Sequence, residues 1–282
     1  MFEVIVENKS GQKLAFTQNN KYAITSITGL GFPDAEINTV SVGSFDGERF
    51  NSSRVAKRNI VLTIAILGDV EANRIALYRV FKSKQWIRFH YKNGLRDVYI
   101  DGYIESAPID LFSQNQEVQI SIICPEPFFK EAEEIIDDMS LIINLFEFPF
   151  AIEDEGIAFS EYAEVTEKIV QNGGDIENGM TIEMRSIGTV VNPKILNRDT
   201  LAYFGLNFTM QSGDVITIST VKGNKTAYLL RGGETINIFN YIMKDITWLQ
   251  LQPGDNVFVF EAETGAEYLE VTFKHRDNFE GV

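Results

Sequence analysis

The sequence predicts a mainly β protein with one main helix, divided into two domains. Three features point to this. Turn chemistry recurs along the chain and separates short apolar or alternating runs, the signature of antiparallel strands. Only one segment, from about Val70 to Lys84, carries helical periodicity. The chain is also 282 residues long, more than a single core usually fills, and its charge changes near the middle.

Residues 1–130 hold 14 acidic and 15 basic side chains, whereas residues 131–282 hold 26 and 10. The formal net charge of −15 therefore belongs almost wholly to the second half. The shift falls at Lys130-Glu-Ala-Glu-Glu134-Ile-Ile-Asp-Asp138, just after the strand-ending Pro125-Glu-Pro127. This places the boundary at about 130–140 and gives domains 1–135 and 136–282. Phosphates would be repelled by the second half, so nucleic acid is a poor partner for it; acidity also simply keeps a domain soluble.

In the first half, Phe2 to Val6 and Lys13 to Phe16 read as short strands. Ile60 to Ile66 is a near-continuous β-branched run, expected of a strand buried on both faces. Asp69 suits a helix N-cap and Glu71 its first turn. Val70, Leu77 and Phe81 share one side, interrupted by Arg74, whose head group must leave the core or find a partner. Lys82 and Lys84 suit the helix C-terminus. Trp86–Tyr91 and Arg96–Ile100 flank Asn93-Gly94, a hairpin signal, and Asp101-Gly102 separates Val98–Ile100 from Tyr103–Glu105. In Gln116–Ile123 the alternation puts Val118, Ile120, Ile122 and Cys124 on one face.

The second half reads as nearly all β. Strands are expected at Thr181–Arg185, Val190–Leu196, Phe204–Met210, Asp214–Ser219, Thr226–Leu230, Val257–Phe260 and Tyr268–Phe273. Turns such as Asn172-Gly-Gly, Ser212-Gly-Asp, Lys222-Gly-Asn and Arg231-Gly-Gly separate them, which suggests a β-sandwich. No repeat of fixed period is present, so a solenoid or propeller is disfavoured.

The start of the chain lacks the basic and apolar regions of a signal peptide, and no stretch approaches 18 uncharged apolar residues, so neither export by that route nor membrane insertion is expected. The single cysteine, Cys124, cannot form an intrachain disulfide, in keeping with synthesis in a reducing cytoplasm, and its apolar run marks it as a buried hydrophobe. The two histidines, His90 and His275, are isolated, so neither has a metal-ligand partner at the usual spacing; no metal or other cofactor is expected. Gly43-Ser-Phe-Asp-Gly47 sets the serine one place too early for a hydrolase elbow. No phosphate loop occurs, and Gly29-Leu-Gly31-Phe-Pro33 lacks the third glycine of a dinucleotide fingerprint. Paired acids such as Glu153-Asp-Glu155 read as a solvated loop rather than a glycosidase pair. Lys82, Lys84, Trp86 and Arg88 mix cations with an aromatic, as a nucleic-acid surface does, though a helix end leading into a strand explains them as well. Trp248 and Tyr241 could form a saccharide-stacking platform, although aromatics in a sandwich are more often core. These features make an enzyme a poor reading. A carbohydrate-binding module recognising host cell-wall saccharide stands as an alternative.

The order of motifs in the first half resembles the distal tail protein family of siphophages infecting Gram-positive bacteria. The features that carry it are Tyr22-Ala-Ile-Thr-Ser-Ile-Thr-Gly29-Leu-Gly31-Phe-Pro33, Asp46-Gly47 followed by Arg54 and Arg58, and the strand Ile60–Ile66. Arg74–Phe81, Asp101-Gly-Tyr-Ile-Glu105, Val118 to Phe129 and the closing Phe279-Glu-Gly-Val282 complete the series. The resemblance covers about residues 1–130 well and the second half loosely, through Pro253-Gly-Asp-Asn256 and the sandwich pattern. It implies a ring-forming N-terminal domain and a C-terminal galectin-like sandwich. The implied role is structural: a homohexameric hub of the tail tip or baseplate, joining the tail tube protein to a tail-associated spike or lysin. The outward sandwiches would dock a receptor-binding protein, and DNA would pass through a central channel without specific binding. On this reading Asp46 and Glu48 face the channel, and the protein resides in the virion tail tip.

Overall fold

The computed structural model describes residues 2–17, 20–43, 46–109, 111, 113, 116–140, 142–144, 160–162 and 167–282. The acidic loop at 153–155 lies outside the described residues. The fold is mainly β with one α-helix among the described residues. It divides into two compact units, Met1–Ala132 with Asn278–Val282, and Glu133–Asp277.

The first unit holds β1 (Glu3–Asn8), β2 (Lys13–Ala15), β3 (Tyr22–Thr28), β4 (Ala35–Ser41), β5 (Glu48–Val55), β6 (Arg58–Ile66), α1 (Val70–Val80), β7 (Trp86–Lys92), β8 (Asp97–Ser106), β9 (Glu117–Cys124) and β10 (Phe129–Glu131). Its main sheet is antiparallel in the order β2-β1-β7-β8-β9-β6-β3. One face carries the core: Val4 and Val6, Ile60, Leu62 and Ile64, Ile87 and Phe89, and Val118, Ile120 and Ile122 are all buried. β6 alternates buried positions with exposed or half-buried ones rather than being buried on both faces. Helix α1 begins as expected, with the Asp69 carboxylate accepting from the Ala72 N–H. It ends at Val80 rather than Lys84. Phe81 turns inward against Phe16, ring centroids 5.9 Å apart, and Lys84 takes a left-handed φ of 66°, so Lys82 and Lys84 leave the helix. Arg74 finds its partner in Glu71 one turn back.

The Asp101-Gly102 break is not there: β8 runs through it for ten residues. Asp101 answers Arg88 across the ladder. Gly102 sits where a Cβ would come 2.7 Å from Ile122 and 2.9 Å from the Cys124 sulfur. The glycine there serves close packing, not a turn. The Asn93-Gly94 hairpin closes through four residues, with the Asn93 side chain accepting from the Leu95 and Arg96 N–H groups.

Arg58 ties the start of β6 to distant parts of the chain. Its buried guanidinium donates to the carbonyls of Gly29, Gly31 and Pro127, each at 2.6 Å, and of Glu280 at 2.5 Å. It lies 4.7 Å from the centre of the Phe129 ring. Burial lowers its pKa from the ordinary arginine value, the cost of taking a cation from water for neutral acceptors.

The second unit holds β11 (Ile135–Ser140), β12 (Ile142–Asn144), β13 (Ser160–Tyr162), β14 (Lys168–Asn172), β15 (Thr181–Ser186), β16 (Val190–Val191), β17 (Lys194–Asn197), β18 (Tyr203–Gly205), β19 (Thr209–Met210), β20 (Val215–Ser219), β21 (Thr226–Arg231), β22 (Glu234–Asn237), β23 (Gly254–Glu261) and β24 (Leu269–His275). Two sheets, β11-β24-β15-β20-β21-β22 and β14-β23-β17-β18, contribute to one core, the arrangement of a β-sandwich. Phe258 of one sheet and Phe273 of the other are fully buried and stacked, centroids 4.9 Å apart. The expected strands Val190–Leu196 and Phe204–Met210 are each interrupted. Pro193 has no donor for a ladder, Asn192 adopts φ 52°, and the Leu206 N–H bonds to the Pro193 carbonyl instead.

After β24 the chain returns to the first unit. β25 (Asn278–Phe279) pairs β10, and the Val282 N–H bonds to the Leu30 carbonyl at 3.1 Å. The last five residues thus belong to the first unit, not to the sandwich with which the sequence grouped them.

Candidate assembly site

β4 and β5 form a separate two-stranded hairpin, from Ala35↔Val55 to Ser41↔Glu48, rooted between β3 and β6. Every residue of both strands is exposed, including Ile37 at 58%, Val40 at 53% and Phe50 at 59%. Inside the arm, Glu36 pairs with Arg54 at 2.7 Å and the Thr39 hydroxyl donates to Glu48. A two-stranded ribbon with no packed face is marginal in water on its own. Asp46 and Glu48 sit at its tip, both exposed. Among the described residues no ion pair reaches the Asp46 carboxylate.

The outer face of the main sheet carries two informative rows. One is ionic: Lys13 and Glu7 lie 3.2 Å apart, and Arg88 meets Asp101 through two bonds of 2.7 and 3.0 Å. The Arg88 guanidinium also lies 4.0 Å from the centre of the Tyr99 ring. His90 is a half-buried sheet residue, 3.7 Å from Glu7. Burial, helped by the Arg88 charge, lowers its pKa, so it is neutral at pH 7. The second row runs in register across four strands, Asn59↔Ile123↔Tyr103↔Trp86. At its Trp86 end lies a cleft of about 560 Å³ lined by Lys9, Lys84, Gln85, Trp86 and Tyr103. The Lys9 and Lys84 ammonium groups are exposed and unpaired among the described residues. Of the basic and aromatic group noted in the sequence, Lys84 and Trp86 line this cleft, whereas Lys82 and Arg88 do not.

In the second unit Trp248 and Tyr241 enter different ring pairs. Trp248 stacks on Phe239 at 5.8 Å, meets Phe204 at 5.1 Å and lies under Lys225 at 5.2 Å. Tyr241 meets Phe208 edge-on at 5.1 Å. The chain's own side chains thus engage both rings.

The most unusual buried group is His275. Its side chain is fully buried, with neither ring nitrogen hydrogen-bonded, 3.8 Å from Asp137 and 3.5 Å from Asp277. Lys168 pairs with Asp137 at 3.2 Å, and the Gly173 N–H donates to Asp277. Burial lowers the His275 pKa below 6.5 and raises that of Asp277. Between the folded pKa and 6.5 the unfolded chain binds a proton that folded His275 refuses, so stability rises with pH across that window. Acidifying from pH 7 toward 5 is therefore expected to lower the urea midpoint of the second unit, and His275→Gln to flatten that slope. An unchanged slope in the variant would remove His275 as its source. Raised Asp277 acts oppositely at lower pH, gaining stability as it protonates.

Sequence reasoning missed the histidine–carboxylate cluster, because Asp137 lies 138 residues before His275, while Asp277, two residues after it, drew no notice. Among the described residues no group of three His, Cys, Asp or Glu is placed to hold a metal ion. Cys124 is buried with its pKa pushed up to about 12, which keeps it a thiol.

Two family descriptions match the chain. Residues 9–124 match the phage tail protein RIFT-related domain, and residues 173–277 the siphovirus-type tail component, C-terminal domain. No curated protein matches by sequence. Among solved structures, the Dit protein of phage SPP1, described as a paradigm of the hub adsorption apparatus in phages infecting Gram-positive bacteria, is similar at 13% identity. Its TM-score is 0.70, over 98% of this chain and 99% of that one. The activated phage P2 baseplate with calcium is similar at 11% identity, TM-score 0.54, and with strontium at 12% and 0.53, each over the full length of both chains.

Proposed function

The chain belongs to the distal tail protein family of siphophages and is a structural component of the phage tail tip or baseplate; from that premise we propose that its first unit builds a homohexameric ring around a channel for DNA. The ring joins the tail tube protein on one side to a spike or lysin on the other, and the sandwich units dock the receptor-binding device. The β4–β5 arm carries this reading: an exposed ribbon with apolar side chains needs a neighbour. The main sheet supports it, since its path ends at β2 and β3, two different edges. Edges of that kind suit a head-to-tail interface, and such an interface closes into a ring when its rotation divides the circle. The acidic second unit suits protein partners rather than phosphate.

Negative-stain microscopy of the purified protein tests this. Six-fold rings with a central hole are expected. Monomers alone at high concentration, in light scattering as in images, would count against the ring. The engaged rings of Trp248 and Tyr241 give the saccharide reading no support.

A further inference from the structure

We propose that the cleft between Lys9, Lys84, Trp86 and Tyr103 is the seat for the β4–β5 arm of the next copy of this chain, a placement that rests on the ring reading above. The arm springs from the β3–β6 side of the sheet, at the level of Asn59. The row Asn59↔Ile123↔Tyr103↔Trp86 carries that level across the sheet to the cleft. When copies associate head to tail, the β3 side of one meets the β2 side of the next. The root of the arm then faces the cleft of its neighbour at matching height. Strands of seven and eight residues reach about 25 Å, enough to cross a junction.

The chemistry matches. The cleft offers two unpaired ammonium groups, Trp86 half-buried, and Tyr103 48% exposed. The arm offers exposed Val40, Val42 and Phe50 for the rings, and the Asp46 and Glu48 carboxylates for the lysines. Covering both at once pairs two lysines and an aspartate, Lys9, Lys84 and Asp46, that have no ion pair among the described residues. This puts Asp46 and Glu48 in an interface between copies instead of on a channel wall.

Two singly substituted full-length chains, Asp46→Cys and Lys84→Cys, test this when mixed under mild oxidation. Cys124 is buried and does not compete. A covalent dimer is expected from the mixture, well above the yield from either chain alone, because a disulfide needs its Cα atoms within about 7 Å. In parallel, Lys9→Glu with Lys84→Glu is expected to shift wild-type rings to monomer by at least tenfold in the assembly midpoint. Mixing that variant with Asp46→Lys, Glu48→Lys chains is expected to restore association. Rings that survive the lysine reversals, with no cross-link in the mixture, overturn the cleft and leave the ring standing. A wild-type chain that stays monomeric by sedimentation, with no cross-link, overturns both.

Discussion

Arg58→Ala is expected to destabilise the first unit by about 3–5 kcal/mol, because a buried acceptor left without a donor costs about 1–3 kcal/mol and several are left at once. Four carbonyls that now accept from one guanidinium, those of Gly29, Gly31, Pro127 and Glu280, lose their donor together. Each bond to a charged group is worth about 1.5–3 kcal/mol, and water entering the vacated space recovers part of the sum. The loss of packing over Phe129 adds to it. Arg58→Lys keeps the charge but cannot reproduce a planar fork reaching four acceptors, so it is expected to lose roughly half as much. Thermal denaturation checks both. A fall in Tm of roughly 10–20 °C is expected for the alanine variant, and a fall of only a degree or two would show that the carbonyls are satisfied without Arg58.

Phe258→Ala is expected to cost the second unit about 3–5 kcal/mol, the usual range for emptying a buried phenylalanine site. Phe258 lies on β23 and Phe273 on β24, so their stack joins the two sheets of the sandwich. Ile182 and Met184 of the same core are fixed in the β15 ladder opposite Phe273 and Val271 and collapse little into the space. Hydrogen exchange read by peptide mass should show faster exchange in β14, β23 and β24, with β1 and β6 unchanged. Unchanged protection in the sandwich strands would mean the core repacks around the loss.

What the sequence discloses depends on whether a strand has one buried face. β9 has, and its alternation placed Val118, Ile120, Ile122 and Cys124 together, all buried. The β4–β5 arm has none, so no period of two marks it. Gly102 carried the same letter as a turn glycine, and only the side chains of Ile122 and Cys124 packed against it reveal why it is there. Arg58 was noted as part of a motif, but its acceptors are backbone carbonyls as far as 222 residues away, which no side-chain pattern announces. Lys82, Lys84, Trp86 and Arg88 drew notice as a basic and aromatic group, of which Lys84 and Trp86 line the cleft. Lys9 and Tyr103 join them only through strand register.

The return of residues 278–282 to the first unit gives translation a say in assembly. The ribosome finishes the whole sandwich before it delivers the Glu280 carbonyl to Arg58 and the Val282 amide to Leu30. A nascent chain stalled anywhere between Glu133 and Asp277 carries a first unit that is still missing a strand and an acceptor. Polypeptides terminated before Asn278 therefore lack the strand and the carbonyl that complete the first unit, with no separate inspection step needed to tell them apart.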